Sequence, residues 1–440
     1  MLPRRNAKIR FLGHVLDLST RDVKTRGGGN EHLTAYELEI LLDLLDAKGK
    51  VVARTDFTPW RGKNINEERH PADIHISALK AKLGKNVIRS IAGIGYALSP
   101  GVTAEIVLDA TRSKAEVLDE VATKLIDTHA GPDLLATIKI CDDRIKMGNA
   151  DAETYLKKAR ACLNAGHEGF CLKPWREAVE EAKGAIAEAL ARDERAAAAY
   201  ALRGLVAFLH DYRWKTAEDD LLRALDLGPH DPLAHSFYAH LLVARRDFDT
   251  GLQHMRTAVE LAPADRITVS SEPWMLLLAG RHEDSISKGI GVVGLFPTFP
   301  PAHVFLGWAY QASGDIDRAI EEYKKALGRE FLPAALSSLG NAYAAIKDYK
   351  AAFRALNQLE EAKAEHLIAE VSAYNEAFVF AGFGQKKKQK CIDALERAYK
   401  QRSSWLVYLH VDPHWDFLRQ EKRFINFVQK LGLWSWALKA

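Results

Sequence analysis

Two hydrophobic rhythms divide the chain. Over residues 8–26 apolar side chains come in short alternating bursts, Ile9/Phe11, Val15/Leu16/Leu18 and Val23, broken by Gly13, Asp17 and Ser19-Thr20, which predicts small antiparallel strands joined by tight turns. Gly27-Gly28-Gly29 breaks the run. A helix then opens at Thr34, with Glu37 placed to complete a capping box and Leu38, Leu41, Leu42 and Leu45 forming a buried stripe. A second short helix is predicted near Val52 to Thr58, stopped by Pro59, and the polar stretch from Trp60 to Arg69 reads as a loop. Pro71 suits the first turn of a third helix, in which Ile76, Leu79 and Leu83 face the core while His75, Ser77, Ala78, Lys80 and Lys82 lie on the outer surface. A β-hairpin follows, with its turn at Gly93-Ile94-Gly95 and Tyr96 on the return strand.

From Gly101 to about Ala150 the pattern predicts further helices without a repeat, interrupted at Gly131-Pro132, and reads as a connector. Beyond it the rhythm becomes periodic. Pro229, Pro263 and Pro297 are spaced 34 residues apart, each closing a segment such as Ala-Leu-Asp-Leu-Gly-Pro. Leu306-Gly307 with Tyr310, Ala319, Tyr323 and Ala326 recurs 33 residues later as Leu339-Gly340 with Tyr343, Ala352, Leu356 and Leu359. Small residues at these places let paired helices approach, and large ones fill the grooves between neighbours. This period with its terminal proline is the tetratricopeptide signature. Weaker repeats lie at 151–195 and 367–400, and 264–297 keeps the proline but lacks the small residues of its first helix. The aromatic segment from Leu409 to Phe424 is expected to fold onto the last repeat. The fold class is therefore mainly α. An N-terminal winged helix-turn-helix of small α+β type (1–100) precedes a helical connector (101–150), a tetratricopeptide α-solenoid (151–400) and a C-terminal capping segment (401–440).

Composition narrows the function classes. At 440 residues and 48% apolar the chain has material for several cores, and its lack of a long apolar run argues against a membrane span and for the cytoplasm. The N-terminus has basic residues without the apolar core of a signal peptide. Net charge is +3, but residues 1–100 carry 17 Lys+Arg against 11 Asp+Glu, so the basic excess sits at the front, as attraction to phosphates requires. Cys141, Cys162, Cys171 and Cys391 fit no disulfide or zinc spacing and read as reduced, buried thiols; Cys162, His167 and Cys171 make only a partial ligand set. With no nucleophile elbow, phosphate loop, paired-histidine metal motif or dinucleotide fingerprint, neither catalysis nor a cofactor is expected.

Three motifs together carry a resemblance: Leu33-Thr34-x-x-Glu37, Asp73-Ile74-His75-Ile76-x-x-Leu79-Lys80-x-Lys82-Leu83, and Ala92-Gly93-Ile94-Gly95-Tyr96. They resemble the OmpR/PhoB-type winged-helix domain, and the whole order of parts resembles the HilA-like class of bacterial transcription regulators, which lack a receiver domain. The resemblance implies a third helix in the major groove of promoter DNA, a wing reaching the adjoining minor groove, and a loop between helices two and three available to RNA polymerase. It implies DNA contacts for His75, Ser77, Lys80, Ser90 and Tyr96. Lys82, Lys85 and Arg89, and Arg69 and His70 ahead of the helix, are phosphate candidates that read equally as a solvated face. Ala78 and Ala92 stand where the family often has arginine, so weak monomer binding would need a homodimer, tandem sites or shape readout.

His240, Trp308 and Asn341 fall at inner-surface positions of first helices. They read either as packing or as the lining of a groove for a protein or peptide partner. His410 and His414 read as packing, and Lys386-Lys387-Lys388 as a solvated turn. The alternative to a DNA-binding regulator is a tetratricopeptide adaptor whose winged helix contacts proteins.

Overall fold

The computed structural model describes residues 8–17, 22–47, 50–53, 57, 71–91, 95–99, 105–107, 121–123, 131–328, 331–365 and 367–433. The chain forms two compact units, 1–117 and 118–440.

In the first unit β1 (Lys8–Phe11), β2 (His14–Asp17), β3 (Asp22–Lys24) and β4 (Asn30–His32) form the expected antiparallel meander. α1 (Ala35–Asp46) is capped as its sequence predicts: Glu37 N donates to Thr34 Oγ1 at 3.3 Å, and Thr34 N donates to the Glu37 carboxylate at 2.7 Å. Leu38, Leu41, Leu42 and Leu45 are buried with Ile9, Phe11, Leu16 and Val23. The predicted second helix is corrected at its start. Val52–Ala53 is instead a strand, β5, the remainder lying mostly outside the described residues. α2 (Pro71–Leu83) follows, then β6 (Ile88–Ile91) and β7 (Gly95–Leu98), and the second sheet runs β5-β7-β6. Gly95 permits that pairing, because a Cβ there would lie 2.0 Å from the Val52 carbonyl oxygen. The wing turn, residues 92–94, lies outside the described residues.

The all-helical connector also needs correction. β8 (Glu105–Val107) adds to the edge of β1, with Ile9 opposite Ile106, so the sheet order is β4-β3-β2-β1-β8. The first sheet thus takes its last strand from beyond residue 100, satisfying backbone groups that β1 would otherwise leave at an edge.

The second unit is a tetratricopeptide solenoid. Gly131–Lys146 packs on the first of seven helix hairpins among the described residues, whose leading helices are Ala152–Gly166, Ala197–Leu209, Pro232–Ala244, Arg266–Leu278, Pro300–Ala312, Pro333–Ala345 and Ala373–Ala381. The 34-residue prolines fall two residues beyond helices ending at Leu227, Leu261 and Leu295, where a chain leaving a helix needs no further backbone donor. Asp231 and Asp265 then cap the next helices, accepting from Leu233 N at 2.8 Å and Thr268 N at 2.9 Å. The degenerate fourth hairpin forms despite Pro273 inside its first helix, and the Pro273 carbonyl accepts from Ser285 Oγ at 2.7 Å.

Gly307 lies beneath the Tyr323 ring, and an added Cβ would sit 2.3 Å from it. Gly307→Ala is accordingly expected to lower stability by about 1–3 kcal/mol through overpacking. Urea unfolding of the full chain measures it, and an unchanged midpoint would mean that the ring slides aside freely.

The array curls until its ends meet. Trp175 N donates to Glu370 Oε1 at 2.9 Å, Trp175 Nε1 to the Arg402 carbonyl at 2.7 Å, and Ala369 N to the Cys171 carbonyl at 2.6 Å. Glu168, buried in the first hairpin, accepts from Ser404 N at 2.9 Å and also from the Ser404 hydroxyl. Burial pushes this carboxyl up to about 6, against the opposing pull of those bonds.

Candidate functional site

Helix α2 and the β6–β7 hairpin present the face that the resemblance assigned to DNA. They are tied at two points: Tyr96 Oη donates to Asp73 Oδ1 at 2.6 Å, and Lys80 Nζ donates to Ser90 Oγ at 2.8 Å. Lys80 also stands 5.8 Å from the centre of the Tyr96 ring. Ser77 is exposed and its hydroxyl donates to the Asp73 carbonyl at 2.8 Å, while Arg89 and Ser90 are exposed on β6 and His75 is half-buried. These five residues, His75, Ser77, Lys80, Arg89 and Ser90, belong to one helix-and-strand assembly.

Two of the predicted contacts are placed differently. Lys82 Nζ donates to Glu37 Oε2 at 2.7 Å and to the His32 carbonyl at 2.8 Å, bracing α2 against α1. Burial draws the Glu37 carboxyl upward, but the bonds from Lys82 and Thr34 prevail and hold it below the usual carboxylate range. The Tyr96 ring is buried in the core, 6.4 Å from Phe57, so it positions α2. Lys85 is exposed in the turn after α2; Arg69 and His70 lie outside the described residues. The sequence reading passed over Ile74, whose side chain is 73% exposed in the first half of α2. The signal was available: two positions before Ile76, it falls off the inward stripe.

The inner surface of the solenoid is filled by the chain itself. The 3-10 turns Ser404–Tyr408 and Pro413–Leu418 carry Trp405, Tyr408, His414 and Trp415 into it. Trp405 lies 5.0 Å from Trp308, 5.5 Å from Trp274 and 5.8 Å from Tyr374, ring centre to ring centre. Tyr408 lies 4.7 Å from Trp274, and His414 4.9 Å from Phe378. His414 and Trp415 thus pack on the last repeat, where sequence placed the segment from Leu409, while Trp405 and Tyr408 ahead of it reach as far as Trp274.

This settles the orientation of the groove candidates. Trp308 is buried and donates to Ser338 Oγ at 2.7 Å; Asn341 is buried, with its amide bonded to the Phe378 carbonyl at 2.6 Å. Both are packing residues, unavailable to a partner while the segment is in place. His240 is half-buried, with Nδ1 2.9 Å from Tyr408 Oη, and burial together with His167 lowers its pKa to about 3. All four cysteines are buried free thiols.

Residues 306–366 match the tetratricopeptide repeat family. A stretch of 87 residues is 33% identical to the response regulator protein PmrA of Pseudomonas aeruginosa, covering 19% of this chain and 38% of that protein. Among solved structures, the chain resembles the anaphase-promoting complex assembly Cut9-Hcn1 (14% identity, 74% of this chain and 57% of that chain, TM-score 0.49). It also resembles yeast Tom70 (13%, 73% and 68%, TM-score 0.40) and Pseudomonas aeruginosa PilF (16%, 48% and 90%, TM-score 0.36). No helix among the described residues is long and apolar enough to cross a membrane.

Proposed function

We propose that this tetratricopeptide scaffold carries a DNA-binding head: α2 enters the major groove of promoter DNA, β6–β7 follows the backbone, and the repeat unit governs binding by dimerisation or by receiving a partner. The observation that carries this reading is the Lys80–Ser90 contact. It fixes an ammonium on the helix beside a hydroxyl on the hairpin, where its partner is neutral and its charge remains available to a phosphate, unlike that of Lys82. His75, Arg89 and Ser90 supply neighbouring phosphate contacts, and Ser77 and Ile74 reach base edges, Ile74 by apolar contact with a thymine methyl.

A mobility shift with the chain's own upstream region at two salt concentrations tests it. Lys80→Ala is expected to weaken binding and to flatten the salt slope by about one unit. Binding by His75→Ala and Lys80→Ala as tight as the parent's would remove the groove assignment.

A specific observation favours a second reading, a scaffold or adaptor whose head contacts protein. The exposed stripe Ile74–Ser77–Ala81 carries no cation, and an exposed isoleucine suits a protein partner as well as a base. In that case DNA retention is absent at both salt concentrations, while Ile74→Ser releases a co-purifying protein.

A further inference from the structure

The filled interior contains a gap. Between the leading helices that start at Ala152, Ala197, Pro232 and Arg266, and beneath the Ser404–Tyr408 turn, lies a cavity of about 150 Å³. Its wall is largely apolar, with Leu202, Leu209, Phe237, Trp274 and Phe305 prominent. A space of about this volume accepts a single aromatic ring.

The polar groups on the wall fix the chemistry of an occupant. Arg160 is neutralised by Asp265 at 2.6 Å, so no cation remains uncompensated there. His167 is held neutral by burial, its pKa lowered to about 4, and its Nδ1 accepts from Gly169 N at 3.2 Å. The proton of the neutral ring therefore sits on Nε2, making it a donor. Trp405 lines the cavity too, and its buried Nε1–H meets no acceptor among the described residues. A buried donor without a partner is unfavourable, and an acceptor brought by a ligand would relieve it. A carboxylate would find no free cation to offset its desolvation.

We propose that this cavity binds a small, uncharged, largely apolar molecule of one ring bearing a hydrogen-bond acceptor, an aryl ketone or cyclic ester in chemical type. The site is independent of the DNA reading, because every wall residue belongs to the repeat unit.

Acetophenone is the probe, with benzoate as its charged counterpart, both titrated against the full chain by ligand-observed NMR and tryptophan fluorescence. Saturable acetophenone binding and a concentration-dependent rise in melting temperature are expected, with benzoate weaker by roughly tenfold or more. Ser236→Leu fills the cavity from its wall and is expected to abolish binding. Should that variant not fold, His167→Phe keeps a ring but removes one of the two wall donors, and is expected to weaken acetophenone roughly tenfold while sparing toluene. No saturable binding at millimolar acetophenone, benzoate binding as tightly, or undiminished binding by folded Ser236→Leu or by His167→Phe would each overturn the assignment.

Discussion

Trp274→Ala is expected to destabilise the repeat unit by about 3–5 kcal/mol, the cost of deleting a large buried aromatic side chain from a packed core. The indole is stacked on Phe305, with ring centres 5.6 Å apart and planes within 7°. It also meets Tyr408 at 4.7 Å, Trp405 at 5.5 Å, His240 at 5.6 Å and Trp308 at 6.0 Å. Those neighbours come from two helices and the C-terminal turn; Trp308 is anchored by Ser338, and Tyr408 and His240 are bonded to each other. They cannot all move inward to fill the space, so the void persists and its full cost is felt. Urea unfolding of the full chain, followed by near-ultraviolet circular dichroism, reads both the stability and the loss of the aromatic signal. Ile290→Ala on an outer helix, where the side chain is 52% exposed, serves as control and is expected to change stability by less than about 0.5 kcal/mol. A Trp274→Ala loss no larger than the control's would show that the aromatic cluster is not a continuous core.

Stability is expected to fall steeply as pH drops below about 6, before ordinary carboxylates titrate. Burial lowers the pKa of His167 to about 4 and of His240 and His410 to about 3, from 6.5. A histidine kept neutral in the fold costs nothing above its unfolded pKa. Below that value the unfolded chain takes up the proton and the native chain refuses it, so stability is lost as pH falls. Glu168 runs the other way between about 6 and 4.5, since its raised pKa lets the native state take a proton first. Three imidazoles against one carboxyl leave a difference of about two protons, or roughly 3 kcal/mol per pH unit over that interval. His210 and His254 are shifted in the same sense as the other imidazoles and add to the slope. Urea midpoints at pH 7, 6 and 5 measure it, and His240→Gln is expected to flatten the curve. Equal midpoints at all three values would mean that water reaches these rings.

The repeats were legible because their determinants are local. Proline at the end of a second helix and glycine or alanine at a helix crossing recur at fixed spacing, and Gly307 beneath Tyr323 shows why the small residue is needed. Thr34 and Glu37 likewise declare their cap within four residues. Contacts without a period could not be read. The bonds from residues 168–175 to residues 369–404 join segments about two hundred positions apart, and nothing in either segment names the other. β8 is three residues long, too short to show alternation, and β5 is shorter still. In the candidate site, the helix and hairpin motifs named residues that the fold brings together on α2 and β6–β7. Which lysine would be bound internally depended on Glu37, 45 residues away from Lys82.

Joining the first hairpin to the last changes how a solenoid comes apart. In a linear array each repeat leans only on its neighbours, and the outermost ones fray. Here the amide protons of Trp175 and Ser404 are held across the seam, by Glu370 and Glu168 respectively. Both termini of the array should therefore exchange with deuterium as slowly as its middle, and clipping the polypeptide after residue 401 should speed exchange at the opposite end.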